Sequence, residues 1–187
     1  MTSDDAGAPD ADVWEAGLVA RARSGDDHAF EALVRRHQDR AFHIALRMTG
    51  DPHDAQDVVQ DALLQAWKAL PAYRGESRFG TWLIRIIINR CHNARRAARL
   101  TVPLPDDDPV TRMPGPDTVV VAAHRADATI KALLDLPFDQ RAALVLYTFG
   151  DATHAEVARI LGINESAAKV RVHRARRELV DRLQEWR

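Results

Sequence analysis

Apolar residues in this chain recur at three- and four-residue steps along most of its length, and no segment alternates with the period of two that marks a half-buried strand. From Val13 to about Leu100 the helical rhythm runs on, apart from two breaks. At the first, Gly50 stops one helix, Asp51 is placed to cap the next, and Pro52 suits its first turn. The second break runs from Pro71 to Thr81 and holds Gly75 and Gly80, and a helix resumes at about Thr81. Residues 101–121 change character: Pro103, Pro105, Pro109, Pro114 and Pro116 are interspersed with Asp106, Asp107 and Asp108. Proline at that density forbids a continuous helix and predicts an extended tether. Helical rhythm returns at about Ala122 and continues to Trp186, while residues 1–12, small and acidic with Gly7 and Pro9, read as a disordered tail. The expected fold class is all-α, with two small helical domains (13–100 and 122–187) joined by a flexible Pro/Asp-rich linker, and with no internal repeat.

The last forty or so residues carry the sharpest local signal. Thr153 and Glu156 have the spacing of a capping box, opening a short apolar-periodic segment that ends at Leu161. Gly162, Ile163 and Asn164 then break the chain, and Asn164 can cap a second helix from Glu165. On that helix Ala168, Val172, Ala175, Leu179 and Leu183 form one apolar stripe, which must face a core. Ser166, Val170, His173, Arg174 and Arg177 fall on the opposite face, with Lys169, Arg171 and Arg176 flanking the stripe. Two short helices around a glycine turn, the second one basic, predict a helix-turn-helix whose second helix enters a major groove. Arg174 could read guanine or hold phosphate, Val170 could touch a thymine methyl, and His173 could stack or donate. The flanking cations are expected on phosphates.

Two further patterns lie upstream. The helix after Asp51 has an apolar face (Val59, Leu63, Ala66, Trp67, Leu70) and a polar stripe of Asp54, Asp57, Asp61 and Gln65. Asp51 and Asp54 suit the positive end of a helix dipole, but Asp57 and Asp61 lie beyond its reach and read better as a docking surface for a basic protein. The loop YRGESRFGTW, from Tyr73 to Trp82, interleaves aromatic, basic and small residues, and the helix that follows carries Arg85, Asn89, His92, Arg96 and Arg99 along one stripe. Such a surface can stack on unpaired bases while arginines hold the backbone, although Phe79 and Trp82 also suit a core.

Charge sharpens this picture. The formal net charge of the 187 residues is −1, so the chain is not a general polycation. Its charges are segregated: the stretch with Asp51, Asp54, Asp57 and Asp61 has no lysine or arginine, and the stretch with Arg85, Arg90, Arg95, Arg96 and Arg99 has no carboxylate. Separate acidic and basic blocks suggest two different partners. Cys91 is the one cysteine, which excludes an intrachain disulfide and fits a reducing compartment. The acidic N-terminus is not a signal peptide, and the apolar run from Trp82 to Ile88 is too short to span a bilayer. A soluble cytoplasmic protein is expected. Enzymatic chemistry finds no support: Cys91 and His92 point about a hundred degrees apart on a helix and cannot converge on one ion or form a dyad. His28, His37, His43 and His53 lack the spacing of a helical zinc motif, and there is no glycine-rich phosphate loop.

In this order the blocks resemble bacterial sigma factors of the extracytoplasmic-function group. DAQDVVQDALLQAW, from Asp54 to Trp67, is similar to the family's segment that docks on the clamp of RNA polymerase. YRGESRFGTWLIRI, from Tyr73 to Ile86, with Asn89, is similar to its promoter-melting segment. Leu136-Pro137 with Gln140-Arg141, AEVA from Ala155, Leu161 to Ile163, and KVRVHRAR from Lys169 resemble its promoter-reading domain. The resemblance implies core-polymerase contacts at Asp54, Asp57, Gln60, Asp61 and Gln65. It implies contacts to the −10 element at Arg74, Ser77, Arg78, Phe79, Trp82, Arg85, Asn89, His92 and Arg96, with the loop capturing a flipped base. It implies contacts to the −35 duplex at Ser166, Lys169, Val170, Arg171, His173, Arg174 and Arg176. The linker would thread toward the RNA exit path, where Asp106 to Asp108 either mimic nucleic acid or simply keep a tether soluble. Expected partners are the core polymerase through its clamp and flap, promoter DNA as duplex and single strand, and an anti-sigma protein. The expected chain is monomeric when free and not membrane-inserted, a non-catalytic subunit with no cofactor or metal. Three departures stand out: Ser166-Ala167-Ala168 replaces the family's frequent Gly-Thr-Val, Val170 replaces a frequent serine, and His154 replaces a frequent aromatic. A conventional helix-turn-helix regulator would account for residues 153–183 equally well, but not for the acidic stripe followed by the aromatic–basic loop.

Overall fold

The computed structural model describes residues 11–101 and 129–184, with side chains from Val13 onward except near helix ends. Residues 1–10 and the Pro/Asp-rich segment 102–128 lie outside the described residues, and so do the expectations placed on them. The rest is helical, without strands among the described residues. The first helix, α1 (Ala11–Arg23), begins two residues before the expected Val13. A break at Ser24, Gly25 and Asp26 follows, which the apolar rhythm had hidden: Gly25 takes φ +93°, and Asp26 caps α2 (Asp27–Thr49) by accepting from the Ala29 N–H at 3.0 Å. Gly50 closes α2 in the left-handed region at φ 84°, where its N–H donates to the Leu46 carbonyl at 2.8 Å.

Asp51 then caps α3 (Pro52–Ala69), its carboxylate accepting from the N–H groups of His53 and Asp54 at 2.7 and 3.2 Å. A short 3₁₀ turn, Leu70–Ala72, leads into the loop before α4 (Phe79–Thr101), which starts two residues earlier than the glycine had suggested. After the linker, helical residues 129–134 precede Pro137 and α5 (Phe138–Phe149). Helices α6 (His154–Leu161) and α7 (Glu165–Gln184) follow.

The apolar stripes meet as their spacing requires. In the N-terminal group Leu33, Ile44, Leu70, Phe79, Leu83 and Ile87 are fully buried, and in the C-terminal group Leu133, Val145, Leu146 and Val157 are. Each such side chain contributes about 1.5–3 kcal/mol by leaving water. The two groups also touch each other, through α2 and α5. Leu134 packs on Gly50, where a Cβ would sit 2.3 Å from its Cδ1 and displace that side chain, and the φ of +84° itself favours glycine. Arg47 lays its guanidinium 3.9 Å from the centre of the Phe149 ring, and Arg40 donates to the Gly150 carbonyl and pairs with Asp151 at 3.3 Å. No described helix is long and apolar enough to cross a membrane.

Candidate nucleic-acid interface and docking surface

The helix-turn-helix is built as its sequence demands. Thr153 Oγ1 accepts from the Glu156 N–H at 3.2 Å, and the Glu156 carboxylate accepts from the Thr153 N–H at 2.8 Å. That backbone bond, with help from the Thr153 hydroxyl and from Arg159 and Arg78, holds the Glu156 carboxyl below its ordinary value. Gly162 ends α6 in the left-handed region at φ 66°, and Asn164 Oδ1 accepts from the Ala167 N–H at 2.7 Å to start α7. Ala168, Val172 and Ala175 are buried, and Leu179 packs against the same core.

The opposite face of α7 is open. Ser166, Val170, His173, Arg174 and Arg177 are all exposed, Val170 to 47 %. The flanking cations have partners within the chain. Lys169 pairs with Glu165 one turn back at 2.8 Å. Arg171 is half-buried and pairs with Asp139 of α5 at 3.4 Å, and Arg176 lies over the Tyr147 ring, 5.8 Å from its centre. The last two brace α7 on α5, because Asp139 and Tyr147 rise to meet them. The Tyr147 ring also stacks on His154 at 4.4 Å, so the imidazole fills the place of an aromatic ring at the start of α6.

On α3, Asp54, Asp57, Gln60, Asp61 and Gln65 are all exposed and lie on one side of the helix. One end of this stripe is tethered: Arg90 of α4 donates to Gln65 Oε1 at 3.0 Å and approaches Asp61 at 3.7 Å. The pair is substantially solvated, so it tempers the local charge and adds little stability.

The loop before α4 is held by an aromatic cluster. The Tyr73 hydroxyl donates to the Ser77 carbonyl, and burial pushes its acidity to higher pH. The Tyr73 and Trp82 rings lie 4.8 Å apart, and Phe79 packs on Trp82 at 5.7 Å and on His37 at 5.5 Å. Phe79 is 2 % exposed, so in this arrangement it supports the loop from below and offers no face to a base. Trp82 is half-buried, while Arg74 and Arg78 are exposed and Ser77 is half-buried. A cavity of about 220 Å³ opens beside Trp82 and Arg85, with Arg159 of α6 at its rim. Arg85, Asn89, His92 and Arg96 form the exposed stripe along α4, although the His92 ring also meets Phe138 edge-on at 5.4 Å.

Two residues make contacts that no local pattern announces. His37 bonds Glu15 at 3.0 Å and presses on Gly80, where a Cβ would come within 2.9 Å of the imidazole. This ties α1 and α2 to the start of α4. Arg141 is 6 % exposed and donates to the Leu134 carbonyl at 3.3 Å, packed beside Phe138. Cys91 is buried, which pushes its thiol up to about 12. Among the described residues, no three His, Cys, Asp or Glu side chains gather to hold a metal.

Comparison with known proteins converges on one family. Residues 33–101 match the model of sigma-70 region 2, and residues 126–179 match that of sigma-70 region 4. The extracytoplasmic-function RNA polymerase sigma factor SigM of Mycobacterium tuberculosis is 35 % identical over 167 residues, covering 88 % of this chain and 82 % of the relative. The RNA polymerase sigma factor NccH of Alcaligenes xylosoxydans is 35 % identical, with 89 % and 93 % covered. Among solved structures, CnrH in complex with the cytosolic domain of CnrY superposes with a TM-score of 0.71 at 29 % identity, over 94 % of this chain and 99 % of that one. The chain belongs to the extracytoplasmic-function family of RNA polymerase sigma factors.

Proposed function

We propose that this chain is a promoter-specificity subunit that works through three surfaces, none of them catalytic. The exposed stripe of Asp54, Asp57, Gln60, Asp61 and Gln65 docks on the polymerase clamp. The loop from Arg74 to Trp82, with Arg85, Asn89, His92 and Arg96, holds the opened −10 strand. There Trp82 supplies the stacking surface, worth about 1–3 kcal/mol per base, and Phe79 supports it from the core. The outward face of α7 reads the −35 duplex through Ser166, Val170, His173 and Arg174, with Lys169 on phosphate. The C-terminal group also meets the flap, residues 13–100 and 122–187 acting as separate domains around the linker. CnrH is solved with the cytosolic domain of CnrY, and we extend that pattern to an anti-sigma partner for this chain in the cytoplasm.

A single observation carries the reading: an acidic surface, a loop set on aromatic rings and a basic reading helix occur in one chain, in the family's order. Their use together implies a change of arrangement. Promoter elements about 25 base pairs apart are separated by roughly 85 Å at 3.4 Å per step. A compact chain of 187 residues is only about 40 Å across, from a radius of gyration of about 16 Å. The contact of α2 with α5 must therefore open in the initiation complex.

The alternative, a free-standing helix-turn-helix regulator, makes the opposite biochemical prediction. In vitro transcription with core polymerase separates the two. Promoter-dependent synthesis on adding this chain supports the sigma reading, and tight sequence-specific binding of duplex by the chain alone overturns it.

A further inference from the structure

Arg141 of α5 is a buried cation without a counter-charge. It is 6 % exposed, and its guanidinium donates to the Leu134 carbonyl at 3.3 Å, a long bond. Its Nε is enclosed and meets no acceptor among the described residues, and no carboxylate pairs with it there. Cys91 lies close by but supplies no charge, since burial pushes its thiol up to about 12 and keeps it protonated at neutral pH. Burial, and then the like charge of Arg95, hold Arg141 below its ordinary value. A guanidinium nevertheless stays charged, and an unpaired buried charge is costly.

The fold brings a second cation to this one. Arg95 of α4 and Arg141 lie against the same Phe138 ring, their guanidinium carbons 5.4 and 5.6 Å from its centre. Both open on a cavity of about 690 Å³, to which Arg90 and Asn93 add donors. Like charges gathered at one ring repel each other unless an anion offsets them. Guanidinium forks match the oxygens of a phosphate in pairs. Asp54, Asp57 and Asp61 of α3 line the same cavity, but Asp61 approaches Arg90 at 3.7 Å, and none of the three pairs with Arg95 or Arg141 among the described residues. Those carboxylates leave room for one small anion while repelling a nucleic-acid strand.

We propose that this cavity between α4 and α5 is a binding site for a single phosphate group, inorganic or carried on a small molecule, gripped by Arg95 and Arg141 with Asn93 as a further donor. The bound group bridges α4 to α5 and so favours contact between the N- and C-terminal groups. The site does not depend on the promoter role proposed above.

Calorimetric titration of the full chain with inorganic phosphate, at constant ionic strength set with chloride, tests this. One saturable site is expected, and the thermal midpoint should rise with phosphate concentration. Arg95→Gln should weaken binding about tenfold or more, as loss of a charged hydrogen-bond partner does. Arg141→Met should abolish binding yet melt no lower than wild type in chloride, because it removes an uncompensated buried charge. Arg95 is half-buried, so Arg95→Gln still decides the matter if Arg141→Met fails to fold. Arg85→Gln, at an exposed cation outside the cavity, should bind as wild type does. A nucleoside monophosphate titrated in parallel separates the sources: tighter binding than inorganic phosphate assigns the site to a phosphate ester, and equal or weaker binding assigns it to the free ion. Equal binding by wild type and all the variants means an adventitious ion only and overturns the proposal. Absence of saturable binding by wild type overturns it too, and binding that then appears on combining Asp106→Asn, Asp107→Asn and Asp108→Asn would give the counter-charge to the linker's own carboxylates.

Discussion

Arg174→Ala gives the clearest access to sequence reading. On α7 the neighbouring cations are engaged at home: Lys169 with Glu165, Arg171 with Asp139, Arg176 over Tyr147. Arg174 is exposed and, among the described residues, has no ion-pair partner, so its guanidinium is uncommitted. Removing it costs the fold little, within about 0.5 kcal/mol for a surface site. If it bonds a guanine edge with both nitrogens, its loss costs about 1–3 kcal/mol, roughly 5- to 150-fold, and only at promoters carrying that base. If it holds a phosphate, every promoter weakens alike and the salt slope falls by about one. The assay is transcription by wild-type and Arg174→Ala holoenzymes on templates randomised in the upstream element, repeated at several salt concentrations. Selective loss with relaxed preference at one base position is expected. A uniform loss with a shallower salt slope, or no loss, refutes the assignment.

Other outcomes follow from the same structure. Thr153→Ala removes the hydroxyl that caps α6, and calorimetry should show a loss of about 1 kcal/mol, a midpoint about 2–4 °C lower. Glu156 carries a carboxyl held below its ordinary 4.5 in the folded state. Its contribution is therefore complete above that value and is lost as pH falls through the lowered one. Glu156→Gln should melt below wild type at neutral pH and approach it in acid, and a gap that widens in acid contradicts this. Phe79→Ala should cost about 3–5 kcal/mol in denaturant unfolding, as a truncated core aromatic does, whereas a stable variant defective only in promoter opening would return Phe79 to the DNA surface. Cys91, buried with its thiol raised to about 12, should resist maleimide at pH 8 in the folded chain and react on unfolding. Rapid labelling of the native protein contradicts that burial.

What the sequence made legible was whatever short range decides. The α7 stripe, the capping box and the caps at Asp51 and Asn164 depend on residues within a turn of each other, and their geometry follows the spacing. The break at Ser24 to Asp26 uses the same grammar as Gly50 and Asp51. It was masked because Leu18, Ala22, Ala29 and Leu33 keep helical phase across it. Long-range partners were not legible. Nothing near Arg171 announces Asp139, and nothing near Gly80 announces His37. The choice between Phe79 and Trp82 as the buried ring depends on His37 closing over the former. Docking of α5 on α2 is invisible to periodicity, since Gly50 looks like a simple helix stop until Leu134 arrives beside it.

The central claim is that this chain confers promoter choice on a polymerase that lacks it. Sequencing transcripts made by core polymerase from a pooled promoter library, with and without the chain, tests it directly. The account predicts discrete start sites that appear only with the chain and share paired upstream and downstream elements. Unchanged transcripts on adding the chain, or selection of the same DNA by the chain without polymerase, would contradict it.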